Sequence, residues 1–194
     1  MGTVNAKHLL SEPTGEWTML NTWSIDQLGS VTNFEMEVSQ YMRQWDILRL
    51  DWVDVTNTTD AQSHGIEVST DNGASYISTY HRNLHKFRSD SASAVNNFNT
   101  TAASIEAVWG NGNDAWAIGA GSVSWHTLRN FRGSCDIVFY CESICWSSTQ
   151  HAIMYAGHSV DPLDTPITTL KWEVGGGNID GGNWKLYGSK IKEL

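Results

Sequence analysis

Two carboxylates beside an aromatic residue are the first candidates for chemistry in this sequence. Asp51 and Asp54 flank Trp52, and glycosidases use a pair of carboxyl groups that flank the bond they cleave. Asp51, however, alternates with apolar neighbours along a predicted strand, where a solvated acidic side chain is ordinary. We therefore interpret both residues as surface acids, and we predict a protein that is not an enzyme and has no catalytic residue.

Nucleophilic and metal-binding patterns are equally weak. The sequence has no GxSxG elbow, and its three cysteines, Cys135, Cys141 and Cys145, stand among apolar residues, which disfavours a reactive thiolate. We predict that they are buried apolar residues. His81 and His85 have the i, i+4 spacing that would place two ligands on one face of a helix, but no helix and no HExxH pattern accompany them. We predict neither a metal nor a cofactor.

A short turn motif is the sharpest local signal. Ser69, Asp71, Gly73 and Tyr76 follow an S-x-D-x-G-x-x-aromatic pattern. This pattern resembles an Asp-box, a hairpin turn found in sialidases and in many non-enzymatic β proteins. The resemblance implies a structural role, in which Asp71 accepts backbone hydrogen bonds, Gly73 supplies a positive φ and Tyr76 packs beneath the turn.

The ten tryptophans are the oddest compositional feature. Several alternate with polar residues along predicted strands, which is the pattern of core residues. Trp45, Trp109 and Trp116 instead stand near loops or strand ends. Each of these three could belong to the core, anchor a subunit interface or stack on a sugar face, so they are the candidate interface or glycan contacts.

Apolar and polar residues alternate with period two in many segments, which predicts strands with one buried and one polar face. Because parallel strands are usually buried on both faces, this pattern favours antiparallel sheets. Turn signals such as Asp71-Asn72-Gly73 separate the segments. We predict an all-β fold, namely an antiparallel, jelly-roll-like β-sandwich of about eight to ten strands.

Two segments depart from simple alternation. Ile137–Cys141 is continuously apolar, which is typical of a strand in the middle of the sandwich or of one that faces a neighbouring subunit. Residues Leu84 to Ala103 are rich in Ser, Ala and Asn and show no clear period. We predict a long connection there, with a short helical turn near Ser91–Val95.

Length and charge set the remaining bounds. The 194 residues suit one β domain, which we assign to residues 17–194, preceded by an N-terminal attachment segment at residues 1–16. The net charge of −9, without a basic cluster, argues against nucleic acid and against an anionic membrane surface as partners. No apolar run approaches the length of a membrane helix.

The arrangement of four segments resembles β-sandwich domains of bacteriophage fibre, spike and head-decoration proteins. These segments are Ile47–Val55, Ile66–Tyr80, Ser134–Ile144 and the closing Gly181–Gly188. The resemblance implies a non-catalytic virion protein, made in the bacterial cytoplasm, that assembles as a homotrimer with other capsid or tail proteins and contacts host-surface glycans. The short segment before Trp17 favours attachment to the particle over a full tail fibre.

Two alternatives remain open. A β-sandwich with many tryptophans near loops is also typical of a carbohydrate-binding module or lectin-like adhesin domain. A glycan-cleaving enzyme that uses Asp51 or Asp54 is the third possibility.

Overall fold

A computed structural model describes residues 16–25, 30–59, 62–88, 95–108, 118–127, 137–146, 151–160, 163 and 165–190. All regular structure in these ranges is β-strand, which confirms the predicted all-β class. The twelve strands are β1 (Thr18–Ile25), β2 (Asn33–Glu37), β3 (Ile47–Asn57), β4 (His64–Ser69), β5 (Tyr80–Arg88), β6 (Val95–Ala102), β7 (Ile105–Val108), β8 (Ile118–His126), β9 (Ile137–Trp146), β10 (His151–Val160), β11 (Thr169–Val174) and β12 (Ile179–Ser189).

The strands form two sheets that pack face to face. The large sheet has the order β1-β12-β3-β8-β9-β10-β5-β6, and the small sheet has the order β2-β11-β4-β7. All neighbouring strands are antiparallel, as predicted. The chain alternates between the two sheets from β1 to β5, returns to the small sheet at β7 and at β11, and ends in the large sheet with β12.

This wrapping is the connection pattern of a jelly roll, in which two four-stranded sheets face each other. Strands β1, β12, β3 and β8 lie in one sheet and β2, β11, β4 and β7 in the other. The hairpins β5–β6 and β9–β10 lengthen the large sheet beyond β8. We call β9, β10, β5 and β6 the extension.

Aromatic rings fill the space between the two sheets. Trp172 of β11 contacts Trp52 and Trp184 edge to face, with ring centroids 5.1 and 5.4 Å apart, respectively. Phe34 of β2 packs on Trp184 in the same way, at 4.6 Å. Edge-to-face pairs add to the large area that such rings bury. Most described tryptophans therefore stabilise the core, and the alternating strands around them supply the aliphatic remainder.

The number of strands exceeds the predicted eight to ten, and the extension explains the difference. The segment Leu84 to Ala103, for which we predicted a long connection, contains the second half of β5 and all of β6. Strand β5 turns Arg82 and Lys86 inward, so it lacks apolar alternation, and β6 is an edge strand of polar sequence. The short helical turn that we predicted near Ser91–Val95 falls outside the described residues, apart from Val95, which begins β6.

Candidate functional site on the outer face of the large sheet

The outer face of the large sheet, which points away from the small sheet, carries the most unusual surface of the molecule. In β9 the residues alternate strictly, so that Phe139 and Cys141 are buried while Val138 and Tyr140 are exposed. The continuous apolar run of β9 therefore supplies both the core and the outer face. A strand that only covered a core would carry polar residues on its outer side.

Six large hydrophobic side chains are exposed together on β5, β9 and β10. We call them the apolar patch, and their exposed fractions range from 40 to 55%: Phe87, Val138, Tyr140, Ile144, Ile153 and Tyr155. Ile153 pairs with Ile144 on one side and with Phe87 on the other, so these three form one row across the sheet. Direct cross-strand neighbours lie about 5 Å apart, and aromatic side chains also reach diagonal neighbours. Tyr155, the next outward residue of β10 after Ile153, lies diagonally opposite Tyr140 of β9. Val138 is the next outward residue beyond Tyr140, so the six side chains form one patch, with Glu142 standing between Tyr140 and Ile144.

A polar groove lies beside the patch, above β8. The outward residues of β8 are small, namely Ala120, Ser122 and Ser124, whereas the neighbouring strands β3 and β9 carry larger side chains. The resulting depression has a volume of about 450 Å³. We call it the polar groove, and the polar side chains that line it are Arg49, Asp51, Ser122, Glu142, Asn183, Lys185 and Tyr187.

The floor of the polar groove is fixed by an ion pair. The Arg49 guanidinium binds the Asp51 carboxylate through two contacts, Nε to Oδ1 at 2.8 Å and Nη2 to Oδ2 at 3.0 Å. The same guanidinium stacks between the rings of Trp17 and Tyr187, at 4.5 and 5.1 Å from their centroids. Burial raises the pKa of Asp51, and Arg49 opposes this shift. A planar guanidinium held in this way is rigid.

A buried ionic cluster lies on the other side of the sheet, between the extension and β7. Glu106 of β7 binds Arg82 at 2.8 Å and also binds Lys86, both on the inner face of β5. The backbone N–H of Glu106 donates to Nε2 of His158 at 3.2 Å. Burial lowers the pKa of Lys86, while Glu106 opposes this shift. The cluster ties the small sheet to the extension.

The predicted turn residues form a hydrogen-bonded turn between β4 and β5. Ser69 Oγ accepts bonds from the Gly73 and Asp71 N–H groups, at 2.9 and 3.2 Å, and Asp71 Oδ1 accepts from the Ser75 N–H at 2.9 Å. Gly73 has a φ of +84°. The bonds from the serines lower the pKa of Asp71 to about 2. These side-chain acceptors serve residues of the turn itself, while the Ser69 carbonyl accepts from the Thr168 N–H at 2.8 Å.

Tyr76 and Trp45 both have local partners. Tyr76 donates its hydroxyl to Glu35 at 2.6 Å, and its ring lies 4.4 Å from the Lys171 ammonium. Trp45 is half-buried at the edge of the core, and its indole leaves no room for a side chain at Gly188. The other two candidate tryptophans, Trp109 and Trp116, lie outside the described residues.

The residues considered for catalysis and metal binding do not converge. Asp51 lies in the polar groove, whereas Asp54 is an exposed residue with a φ of +56°. His81 and His85 lie on strand β5, not on a helix. No group of three or more His, Cys, Asp or Glu side chains within the described ranges could hold a metal ion.

The cysteines are placed as small core residues where the structure describes them. Cys141 and Cys145 are buried, not disulfide-bonded and on the inner face of β9. Burial raises the pKa of Cys141 strongly and that of Cys145 to about 11. Cys135 lies outside the described residues.

Neither the β10 residues of the apolar patch nor the residues of the polar groove were predicted from the sequence. The apolar run Ile137–Cys141 pointed to β9, but β10 carries a second run, Ile153-Met154-Tyr155, of the same kind. Two such runs separated by a short connection predict a hairpin that is apolar on both faces. The polar groove had no comparable signal, since its residues come from strands that are distant in sequence.

Comparison with protein-family models, with curated proteins and with solved structures finds no match for this chain. The part of the chain that the structure describes contains no helix of the length and apolar character needed to cross a membrane.

Proposed function

We propose that this chain is a non-enzymatic structural protein of a bacteriophage particle, which assembles with copies of itself through the apolar patch. The single observation that carries the proposal is the exposure of six large hydrophobic side chains on one continuous sheet face. The jelly-roll connection pattern is compatible with it, because viral capsid proteins and lectins both use this fold.

The patch is large enough to seed an interface. Six side chains exposed by 40–55% present on the order of 500 Å² of apolar surface, near the upper end for the largest patch on a monomer. A stable interface buries about 800 Å² on each partner. The patch would therefore form the centre of the contact, and the polar residues around it would form the rim.

Charge favours a second copy as the occupant. The chain carries a net charge of −9, and the small sheet exposes acidic residues such as Glu35 and Glu37 on its outer face. Among the described outward side chains of β9 and β10, Glu142 is the single charged one. Two copies therefore repel each other least when their patches meet.

The residue types in the apolar patch are those found at the centres of protein–protein interfaces. Tyr140 and Tyr155 supply hydroxyls that tolerate solvent before assembly, together with rings that bury well after it. Aromatic residues are enriched at the centres of interfaces, whereas charged residues are depleted there. The resemblance to phage fibre, spike and decoration domains adds the virion as the place of assembly and a trimer as the expected number of copies.

Sedimentation velocity over a range of protein concentrations tests the assembly. The wild-type chain should form a discrete oligomer, and Tyr140→Thr and Ile153→Thr should each weaken it by about tenfold or more, the effect expected for central interface residues. Threonine keeps β propensity and leaves the net charge unchanged. The matched control is Met19→Thr on β1, which removes a side chain that is 57% exposed outside the patch.

A chain that remains monomeric at every concentration would overturn the self-assembly. The virion assignment has its own test, in which an antibody against the purified chain labels particles of the phage that carries its gene, observed by electron microscopy. Regular labelling of the shell, tail or fibres is the expected result. Particles without label, although the chain is present in the lysate, would overturn the virion assignment.

A further inference from the structure

We infer that the polar groove binds an uncharged oligosaccharide that lies across strands β12, β3, β8 and β9. The groove borders the apolar patch and is not part of it. Nine of its ten lining residues lie on β3, β8 and β12, and the tenth, Glu142, stands between the patch residues Tyr140 and Ile144 on β9. The proposed site also differs from a glycan contact at Trp45, Trp109 or Trp116, since the groove is built from β3, β8, β9 and β12.

The charge balance of the groove selects an uncharged ligand. Its lining contains two cations, Arg49 and Lys185, and two anions, Asp51 and Glu142. Arg49 is already bound to Asp51 through two contacts, so it offers no open fork to a phosphate or carboxylate. The chain's net charge of −9 further opposes polyanions such as nucleic acid.

The groups that remain can exchange hydrogen bonds with sugar hydroxyls. Glu142 and Asn183 are exposed at the rim, and the carboxylate and amide carbonyl accept from O–H donors while the amide N–H₂ and the Lys185 ammonium donate. Hydrogen bonds between a hydroxyl and a carboxylate are among the stronger ones. Burial raises the pKa of Asp51, so this carboxylate also gains from an additional donor.

The shape of the groove suits a chain-like molecule. The lining residues come from the four neighbouring strands β12, β3, β8 and β9, so the depression crosses these strands and is elongated rather than round. Its volume of about 450 Å³ lies within the range of small-ligand sites, roughly 300–1,000 Å³.

Rigidity of the floor reduces the entropy lost on binding. The Arg49 guanidinium is held by Asp51 and by the rings of Trp17 and Tyr187. A pre-organised polar surface keeps more of its interaction energy as affinity. A simple solvated ion pair would not need two aromatic rings around it.

An array of immobilised oligosaccharides, composed of neutral chains and their sialylated and sulfated counterparts, tests the inference. The wild-type chain should retain neutral members. Ser122→Tyr, which fills the groove, should abolish this retention, and Asn183→Ala should weaken it by about tenfold, as expected when a good hydrogen bond is lost. The matched control is Ser78→Tyr, the same change at an exposed residue two positions before β5, which should bind like the wild type.

Three outcomes would overturn the inference: retention of no neutral oligosaccharide, retention of charged members alone, or unchanged retention by Ser122→Tyr. The circular dichroism spectrum and sedimentation coefficient of each variant show whether the fold and the oligomer persist. A chain that assembles normally and ignores all neutral glycans would contradict the groove alone. A chain that binds them as a monomer would contradict the proposed assembly alone.

Discussion

The two halves of the large sheet differ in where they place charged and exposed apolar residues. In the jelly-roll half, β3 turns Leu48 and Leu50 inward and presents the Arg49–Asp51 pair on the outer face. In the extension, β5 turns Arg82 and Lys86 inward, and the outer face carries the apolar patch. One continuous antiparallel sheet therefore contains a conventional amphipathic half and an extension that also has an apolar inner face. The buried cations of β5 together with the exposed apolar patch are what we call the inverted polarity of the extension.

This difference suggests distinct roles for the two halves, namely core stability for the jelly-roll half and the proposed association for the extension. The jelly-roll half gains stability from ordinary burial of tryptophan and leucine side chains. The extension also buries core residues such as Leu84 and Phe139, but it adds buried cations that bind Glu106 of β7 and leaves apolar side chains exposed to water. Exposed apolar patches of this size are typical of interaction sites. The extension therefore has the surface expected for the proposed self-association.

The largest expected effect comes from removing the carboxylate that neutralises the extension. Glu106→Ala leaves Arg82 and Lys86 buried without this counter-ion, and breaking a buried pair in this way costs about 3–5 kcal/mol. Some of this cost is relieved because the cluster keeps slight contact with water. The free energy of unfolding, measured by urea titration, should therefore fall by about 3 kcal/mol.

Two further variants sharpen this first prediction. Glu37→Ala removes an exposed carboxylate of β2 that bonds to Ser39 at 2.8 Å, and it should cost less than about 0.5 kcal/mol. Replacing Glu106, Arg82 and Lys86 together by Leu, Met and Met should recover most of the stability, because an apolar substitute removes the desolvation cost. Equal losses for Glu106→Ala and Glu37→Ala would contradict the inverted polarity.

Two buried histidines give a pH-dependent contrast between the small sheet and the extension. His64 of β4 accepts a hydrogen bond from Trp172 Nε1 at 3.0 Å, and His158 of β10 accepts from the Glu106 N–H. The pKa of each is lowered to about 4, by burial for His64 and by burial together with the charges of Arg82 and Lys86 for His158. Both are therefore neutral in the folded chain at pH values well above 4.

The lowered pKa values of the two histidines make the folded chain less stable at acidic pH. Between pH 6.5 and about 4 the unfolded chain binds protons at these histidines and the folded chain does not, so stability is complete above this window and falls as the pH falls. Each histidine should contribute a slope of roughly 1.4 kcal/mol per pH unit. His64→Gln and His158→Gln should each remove about half of the summed slope in urea titrations at several pH values.

A neighbouring substitution distinguishes the two environments. Lys86→Met removes a charge that lowers the pKa of His158, whereas the shift of His64 is due to burial alone. NMR titration of the imidazole protons should then show a higher pKa for His158 and an unchanged pKa for His64. Parallel shifts of both would contradict the assignment of the charged cluster to the extension.

Sequence alone predicted the jelly-roll half well, because its strands obey simple physics. Leu48, Leu50 and Trp52 alternate with polar residues, and the same holds around Trp172 and Trp184. Each strand of this half has one apolar neighbour, the other sheet, and one aqueous neighbour. Period-two alternation is the direct consequence.

Strand β9 was predicted from its apolar run, whereas β5 and β6 of the extension were missed because their environment is not that of a half-buried sheet. Strand β5 mixes Leu84 with inward Arg82 and Lys86, and no local rule anticipates a counter-ion that follows 20 residues after Lys86. The polar groove depends on the register that places Ser122 opposite both Asp51 and Glu142. Such pairing is fixed by the whole sheet and by no short stretch of sequence.

The smallest expected effects come from one methyl group added to each half of the sheet. At Gly121 of β8, a Cβ atom would approach Trp52 Cζ2 to 2.7 Å and the Ser143 Cα to 2.8 Å, whereas at Gly157 of β10 it would meet no heavy atom within 4 Å. Gly121→Ala should therefore cost about 1–3 kcal/mol through overpacking. Gly157→Ala should stabilise the fold by about 0.4–1 kcal/mol, because alanine restricts the unfolded chain.

The two glycine variants compare how tightly the extension and the jelly-roll half are packed. Gly157 pairs with Tyr140 on the outer face, so its extra methyl group enlarges the apolar patch without touching the core. If the extension is an association surface, Gly157→Ala leaves the oligomer intact while raising the urea midpoint measured below the association concentration. A loss of stability for Gly157→Ala as large as that for Gly121→Ala would mean that the sheet around Gly157 is packed as tightly as the jelly-roll half. The proposal that the outer face of the extension is open for association would then be wrong.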